Sequence, residues 1–354
     1  MQIAPSSEFP FIVRGLDIED EQAVLELLRA TLGEKKTTRK TAEYWRWKHL
    51  QNTFGSSYTL CAVDPADRAL AGLRTMMRWV FKSPSGKFYQ AGRAVDTATS
   101  PDYQRRGIFS ELTARAIEGL RREGSAFIFN TPNQNSLPGY LKMGWKVVER
   151  WPVYVRPVRP IRTLVKLLFP PPKIDNRDSL QLYGLINWSR FREQHGAALE
   201  TIVSSHEHGR SHVGLRTRRD LAYLDWRYGS HPDVEYGAYP MVSSSGVLAG
   251  FMIARPATGI RRLTSMTVTE VFLQQPSRTS VRRLFHSAFS SVDCDYWSVH
   301  FSEGTVELDA VKRMGFFAAP GRGYTWTSLP LNQMDEDPTA ASHWDLTLGE
   351  MEIF

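Results

Sequence analysis

Cysteine is nearly missing from this chain of 354 residues, with Cys61 and Cys294 the only two. Two thiols exclude a disulfide framework and a structural zinc site built on thiolates alone. No apolar run approaches the roughly 18–20 residues that a membrane-spanning helix needs, so no integral membrane segment is expected. The amino terminus, Met1-Gln2-Ile3-Ala4-Pro5-Ser6-Ser7-Glu8, has neither a basic n-region nor an apolar h-region, and a cytoplasmic location is the expectation. With 42% hydrophobic, 23% charged and 12% aromatic residues, disorder, collagen and coiled coil are excluded as the main state. The length suits two domains, each large enough to bury a core.

Acidic residues are missing from one stretch in particular. Arg150, Arg156, Arg159, Arg162, Lys166 and Lys173 follow one another with no acid among them, against a net charge of +7 for the whole chain. Pro152, Pro157, Pro160, Pro170, Pro171 and Pro172 fall in the same stretch, which reads as a stiff, basic connector over residues 156–178. Its apolar piece, Leu164-Val165-Lys166-Leu167-Leu168-Phe169, is expected to pack on a domain rather than to dock on anionic lipid.

The two flanks of the connector repeat one another. Tyr44-Trp45-Arg46-Trp47-Lys48 is matched by Tyr223-Leu224-Asp225-Trp226-Arg227, Leu70-Ala71-Gly72 by Leu248-Ala249-Gly250, and Lys142-Met143-Gly144-Trp145 by Arg313-Met314-Gly315-Phe316. Three matches in the same order at offsets of 179, 178 and 171 indicate a duplicated domain. We therefore divide the chain into a first copy over residues 1–155, the connector, a second copy over 179–330 and a tail over 331–354.

In the first copy, Ala23, Leu25, Leu27, Leu28 and Leu32 form the apolar stripe of a helix. Strands are expected over 57–63, 71–81 and 88–98, a helix from Ile108 to Leu120, a short strand at Phe127-Ile128-Phe129, a helix around Tyr140 and a last strand over 146–154. The informative point is the turn Gln104-Arg105-Arg106-Gly107 into the second of these helices. A helix N-terminus presents unpaired backbone N–H groups and the positive end of its dipole to phosphate oxygens. Arg105 and Arg106 add charge suited to a pyrophosphate or a 3′-phosphate. The alternative is an ordinary strand-to-helix turn with solvated arginines.

This arrangement resembles the GNAT superfamily of acyl-CoA-dependent N-acetyltransferases. Gln104-Arg105-Arg106-Gly107-Ile108-Phe109 is similar to that family's [QR]xxGx[GA] loop, and Asn133, Ser136, Tyr140, Gly144 and Trp145 are similar to its downstream NxxAxxxYxxxG pattern. Phe109 departs from the pattern, standing where Gly or Ala is usual. The resemblance implies a mixed α/β fold, two tandem GNAT-like domains each with a mostly antiparallel twisted sheet flanked by helices. It implies acetyl-CoA, or another acyl-CoA, as co-substrate, no metal, and a cofactor site of Ala98, Thr99, Gln104, Arg105, Arg106, Gly107, Ile108, Phe109, Ser110, Asn133 and Ser136. It also implies that Tyr140 protonates the departing coenzyme A sulfur and that backbone N–H groups around Ala98 to Ser100 receive the oxyanion. In the second copy the matching turn, Gln274-Gln275-Pro276-Ser277, has no glycine and its proline lacks an N–H. That copy is expected not to bind coenzyme A.

Asp96 lies inside the apolar strand Ala94-Val95-Asp96-Thr97-Ala98, where a carboxylate is either paired or functional. Both readings stay open: the base that deprotonates the acceptor amine, or an ion pair with Arg93 or the connector. His206, His208 and His212 are read as part of a solvated Gly/Ser-rich loop rather than as metal ligands. The tail carries Trp344, Leu346, Leu348, Met351, Ile353 and Phe354, so it is expected to pack, with Asp345 to Leu348 as an added strand. It would bring Glu350, Glu352 and the terminal carboxylate to the mouth of the active site, as the resemblance implies for two-lobed members, or merely cap the second sheet. The expected activity is acyl transfer to an amine of a small molecule, an amino sugar among the candidates, with no nucleic acid partner. The alternatives are a non-catalytic acyl-CoA sensor and a basic nucleic-acid or surface-binding module.

Overall fold

Amphipathic spacing decides the first helix. In the computed structural model, which describes residues 9–34, 39–169, 180–209, 213–258 and 263–351, α1 (Glu21–Leu32) buries Val24, Leu25, Leu27 and Leu28. It follows β1 (Ile12–Gly15) and precedes α2 (Ala42–His49), β2 (Tyr58–Val63), β3 (Leu70–Lys82), β4 (Phe88–Thr99), α3 (Ile108–Arg122), β5 (Phe127–Asn130), α4 (Leu137–Lys142) and β6 (Lys146–Pro157). The second half runs α5 (Pro160–Leu168), β7 (Ile186–Asn187), α6 (Trp188–Gly209), β8 (Arg216–Thr217), α7 (Leu221–Leu224), β9 (Gly237–Val242), β10 (Leu248–Thr258), β11 (Thr264–Leu273), α8 (Arg278–Ser291), β12 (Tyr296–Val299), α9 (Val306–Arg313), β13 (Phe317–Pro330) and α10 (Leu348–Met351). The mixed α/β architecture of mostly antiparallel sheets flanked by helices is the one the sequence led us to expect.

The chain divides into two units. Unit 1 holds the chain up to Arg150 together with Thr325–His343, and unit 2 holds Trp151–Tyr324 together with the chain from Trp344. The sheet of unit 1 runs β1-β2-β3-β4-β5 and ends on the Thr327–Pro330 part of β13, which lies antiparallel to β5. That of unit 2 runs β7-β9-β10-β11-β12 and ends on the Tyr154–Pro157 part of β6, antiparallel to β12. In each sheet a single described pair is parallel, β4 with β5 and β11 with β12. The sheets are therefore the same sheet twice, with the last strand of each half exchanged. The linear boundary expected at residue 155 does not anticipate this exchange. Two copies offer the same free edge to the same closing strand, so pairing rules alone do not say which copy a closing strand joins.

Both sheets carry a β-bulge at the same place. Along β3 and β4 the register passes from Leu73 opposite Ala98 to Thr75 opposite Val95, so Asp96 and Thr97 together face Arg74. Asp96 takes φ = 40° there, a left-handed conformation that a bulge makes tolerable. Along β10 and β11 the register passes from Ile253 opposite Glu270 to Ala254 opposite Val268, leaving Thr269 as the extra residue. Helix α3 lies closely on β3 in unit 1, because a Cβ at Gly72 would collide with Cγ2 of Ile108.

Three stretches differ from their expectation. The basic connector is not a Pro-stiffened coil throughout: α5 begins at Pro160, where the missing N–H is harmless. Arg162 and Lys166 turn toward unit 2 and pair with Asp293 and Asp295 at 2.7 Å, so the apolar side faces out, with Ile161 80% and Phe169 75% exposed. The ion pairs, not the apolar face, dock this helix. Ser204 to Gly209, expected as a loop, belongs to α6; His206 is buried with Nδ1 accepting the Leu273 N–H, His208 bonds the Ser204 carbonyl, and His212 lies outside the described residues. The tail does pack, burying Trp344, Leu346, Leu348 and Met351. It does so through single bridges, Leu215 with Trp344 and Phe301 with Thr347, and the short helix α10 rather than a full strand.

Candidate active site

The turn before α3 is built to leave its donors open. Arg105 and Gly107 both take positive φ, 63° and 78°, and Gly107 is the N-cap of a helix whose first turn no side chain caps. The successive backbone N–H groups of such a turn form a concave nest for an anion, and the helix dipole adds to it. A cavity of about 620 Å³ opens on this turn. Of the residues expected to hold coenzyme A, Ala98, Thr99, Gln104, Arg105, Gly107, Ile108, Phe109 and Ser110 line the cavity. Arg106 does not line it; its guanidinium lies over the Tyr103 ring at 5.2 Å. Asn133 and Ser136 do not line it either. The Asn133 Oδ1 accepts the N–H groups of Asn135 and Ser136 at 2.9 Å and so shapes the entry to α4.

The wall opposite α3 comes from the far end of β4. Pairing of β4 with β5 ends at Arg93 and Phe129, three residues before Asp96, although β4 continues to Thr99, so the bulge and the residues after it lie on the part of β4 that β5 no longer pairs. Ser100 donates its N–H to the Ala71 carbonyl at 3.0 Å. Alternation along a strand then turns the Thr99 N–H to the edge that β5 has left. Within the stretch from Ala98 to Ser100, Thr99 rather than Ser100 is the available donor.

Asp96 fixes the bulge. Its carboxylate receives Lys48 Nζ at 2.5 Å and His49 Nε2 at 2.9 Å, with Lys40 Nζ at 3.5 Å, and its side chain is only 7% exposed. Burial pushes this carboxyl up, but Lys48, the His49 hydrogen bond and Lys40 outweigh burial and hold it well below the ordinary carboxylate range. Burial drives His49 the other way, down to about 4. The imidazole is therefore neutral, its Nε2–H donating to Asp96 and its Nδ1 accepting from the Ser57 hydroxyl at 2.9 Å. Of the two readings of Asp96, the geometry supplies the partners of the ion pair, Lys48, His49 and Lys40. Its partners are neither Arg93 nor the connector.

Tyr140 is buried on α4 against Phe109 and Trp145, at ring distances of 6.1 and 5.2 Å. Its hydroxyl oxygen accepts from Nη1 of Arg74 at 2.9 Å. A guanidinium has no acceptor to offer in return, so the phenolic proton is directed elsewhere. Arg74 itself is fully buried, and it was not among the expected site residues. A signal for it was present in the charged residue amid Ala71-Gly72-Leu73-Arg74-Thr75-Met76-Met77, the same kind of signal that drew attention to Asp96.

Residues 13–148 match the acetyltransferase (GNAT) domain family. The first half of this chain carries a GNAT domain. Across both halves the fold is similar to that of a probable N-acyltransferase from Enterococcus faecalis V583, with a TM-score of 0.63 at 15% identity, covering 91% of this chain and 73% of that one. It is similar also to a GCN5-related N-acetyltransferase from Anabaena variabilis, with a TM-score of 0.59 at 13% identity and coverages of 91% and 73%. Saccharomyces cerevisiae N-myristoyltransferase, solved with bound myristoyl-CoA, aligns with a TM-score of 0.54 at 11% identity over 93% of this chain and 82% of that one. No curated protein sequence matches this chain significantly.

Unit 2 repeats the clamp of the GNAT domain without its open turn. Arg219 and Tyr228 hold Glu270 at 2.9 and 3.0 Å, and each stands 179 residues after its counterpart, Lys40 and His49. The helix corresponding to α3 is closed off: at the start of α8 the Ser277 hydroxyl accepts the Ser280 N–H, and the Ser280 hydroxyl accepts the Ser277 N–H. A reciprocal box of this kind consumes the donors that a phosphate would need.

Glu350 belongs to unit 2, where the same network absorbs it. Its carboxylate is fully buried, accepts from Arg219 at 2.6 Å and takes the Thr347 N–H at 2.8 Å. The expectation of an open carboxylate at the mouth of a cleft is corrected accordingly, and Glu352 lies outside the described residues. Burial pushes Glu350 up, but Arg219 and the Thr347 N–H hold it below its usual value. Glu270 shares Arg219 with it, and burial, with Glu350 adding to it, lifts Glu270 to about 7 against the pull of Arg219.

Two outcomes follow. Replacing Asp96 by Asn removes the countercharge of Lys48 and Lys40, and denaturant unfolding should show a loss of ~3–5 kcal/mol; a base with no structural duty would instead lose turnover at unchanged stability. Glu270 keeps its proton in the folded chain up to about pH 7, whereas the unfolded chain sheds it near 4.5, so its contribution is full below 4.5 and lost as pH rises through 7. Between pH 5 and 8 the wild type should therefore lose roughly 2–3 kcal/mol relative to Glu270→Gln, and parallel stability curves would rule this out.

Proposed function

We propose that unit 1 transfers an acetyl or other short acyl group from acyl-CoA to the amine of a small molecule, an amino sugar among the candidate acceptors. The observation that carries this reading is the uncapped N-terminus of α3, opening with two positive-φ residues on a cavity, set against the self-capped α8 of unit 2. Acyl-CoA, when bound, supplies the activated thioester carbonyl. The N–H groups at Gly107 to Ser110 would hold its phosphates, with the Arg105 charge beside them. The Thr99 N–H, on the edge vacated by β5, is placed to stabilise negative charge developing on a carbonyl oxygen. Tyr140, whose oxygen is already engaged by Arg74, offers its proton to the departing sulfur.

The basic module is the weaker alternative, because Arg162 and Lys166 already face Asp293 and Asp295 and Arg156 lies 4.4 Å over the Phe289 ring. The sensor alternative keeps the cradle and differs only in turnover.

Titration calorimetry with acetyl-CoA should give one site per chain, abolished by Gly107→Pro; a second site would contradict the assignment of unit 2. Free-thiol release against a panel of amines, amino sugars and polyamines should detect turnover, and Tyr140→Phe should lower kcat ~10²-fold with coenzyme A affinity nearly unchanged. Binding without thiol release on any amine would favour the sensor.

A further inference from the structure

Arg74 is buried without the partner its chemistry asks for. One terminal nitrogen, Nη1, donates to the hydroxyls of Tyr140 and Thr97. Nε and Nη2 are buried and meet no hydrogen-bond acceptor. The carboxylate closest along the strand pair, Asp96, is committed to Lys48, His49 and Lys40. The rings of Phe109 and Tyr140, 5.8 and 5.3 Å from Cζ, lie against the guanidinium but offer its edge no acceptor. A buried cation without a countercharge is destabilising unless something supplies one.

The two unused nitrogens are not arbitrary. Nε–H and one N–H of Nη2 are parallel and form the side edge of the guanidinium, whose spacing matches the two oxygens of a carboxylate. Arg74 stands one layer behind the cavity wall, since Thr97 and Phe109, which both touch it, line the cavity. It also touches Tyr140, the residue read above as the proton donor.

We propose that Arg74 is the receptor for a carboxylate of the substrate pair, borne by the acyl group or by the amine acceptor. The inference rests on the reading of unit 1 as an acyltransferase and narrows it: the enzyme would act on a short dicarboxylic acyl-CoA, or on an amino acid. A carboxylate entering there would pair with the Nε and Nη2 edge while Nη1 keeps its bond to Tyr140. Phe109, at the position where glycine or alanine is usual in the GNAT loop, lies between the cavity it lines and the guanidinium, 5.8 Å from Cζ, and would turn to admit the ligand.

The test has two arms on the full-length protein. In the first, kcat/KM is compared for succinyl-CoA and butyryl-CoA with one amine; in the second, for amino acids and their carboxamides with acetyl-CoA. One arm should favour the carboxylate by about tenfold or more, since a site built to hydrogen-bond a group rejects an analogue lacking it. Arg74→Met should bring that ratio close to one, and Arg74→Lys, which keeps the charge but not the fork, should restore it only in part. Should the variants not fold, calorimetric Kd values of the wild type for succinyl-CoA and butyryl-CoA, and for an amino acid and its carboxamide in the presence of coenzyme A, give the same comparison. Ratios near one in both arms, or a preference that survives Arg74→Met in a folded protein, would overturn the proposal. Coenzyme A binding with no carboxylate preference removes only Arg74 as receptor, whereas absence of coenzyme A binding removes the acyltransferase reading as well.

Discussion

The ion cluster around Asp96 is the constraint on which the rest of unit 1 depends. A carboxylate at a left-handed position inside an apolar strand is doubly unfavourable, and it persists because Lys48, Lys40 and His49 converge on it. The extra residue accommodated there changes the register of β4 against β3, on the part of β4 that β5 no longer pairs. Most of the cavity lining follows that point in the chain, while Ala30 and Thr31 reach it from the end of α1. Thr97, Ala98 and Thr99, at and after the bulge, line one wall, and the turn through Arg105 and Gly107 follows the end of β4.

Duplication supplies an internal control on what is structural and what is functional. Both units keep a carboxylate at the bulge, a cation reaching it from before the short helix, and a hydrogen-bonding side chain, at the end of that helix in unit 1 and on the turn that follows it in unit 2. Only unit 1 keeps an uncapped helix at the end of the bulged strand. A feature present in both units is accounted for by the fold they share. The open turn, present once, needs a separate reason, and anion binding is the one its chemistry offers.

Much of this was legible in the sequence where local rules decide. The strands and helices of the first copy fall close to their expected places because periodicity and turn residues set them, and Gly107 was recognisable as the hinge of an open turn. What was not legible depends on contacts distant in the chain. The exchange of β6 and β13 leaves no trace in either strand, since each carries the pattern its sheet requires. The connector helix presents its apolar side outward because Asp293 and Asp295 wait for Arg162 and Lys166, and nothing in residues 160–169 announces them. Asp96 and Glu350 stand out in the sequence as unusual carboxylates, but their partners lie 48 and 131 residues away for Lys48 and Arg219.

The exchanged strands bear on how the duplicated chain holds together. Unit 1 draws Thr325–His343 from the end of the sequence, and unit 2 draws β6 from Trp151 onward and the buried tail around Glu350. Severing the chain in the connector would leave β5 without Thr327–Pro330 in one fragment and β12 without Tyr154–Pro157 in the other. A bared β5 edge would expose Phe127 and Phe129, now covered in part by Trp326, whose ring stacks on Phe129 at 4.9 Å, and an unpaired apolar edge invites aggregation. The second half of the chain is thus needed by the first even though its own α8 opens on a closed, self-capped turn. Its closing strand completes the sheet that carries the bulge.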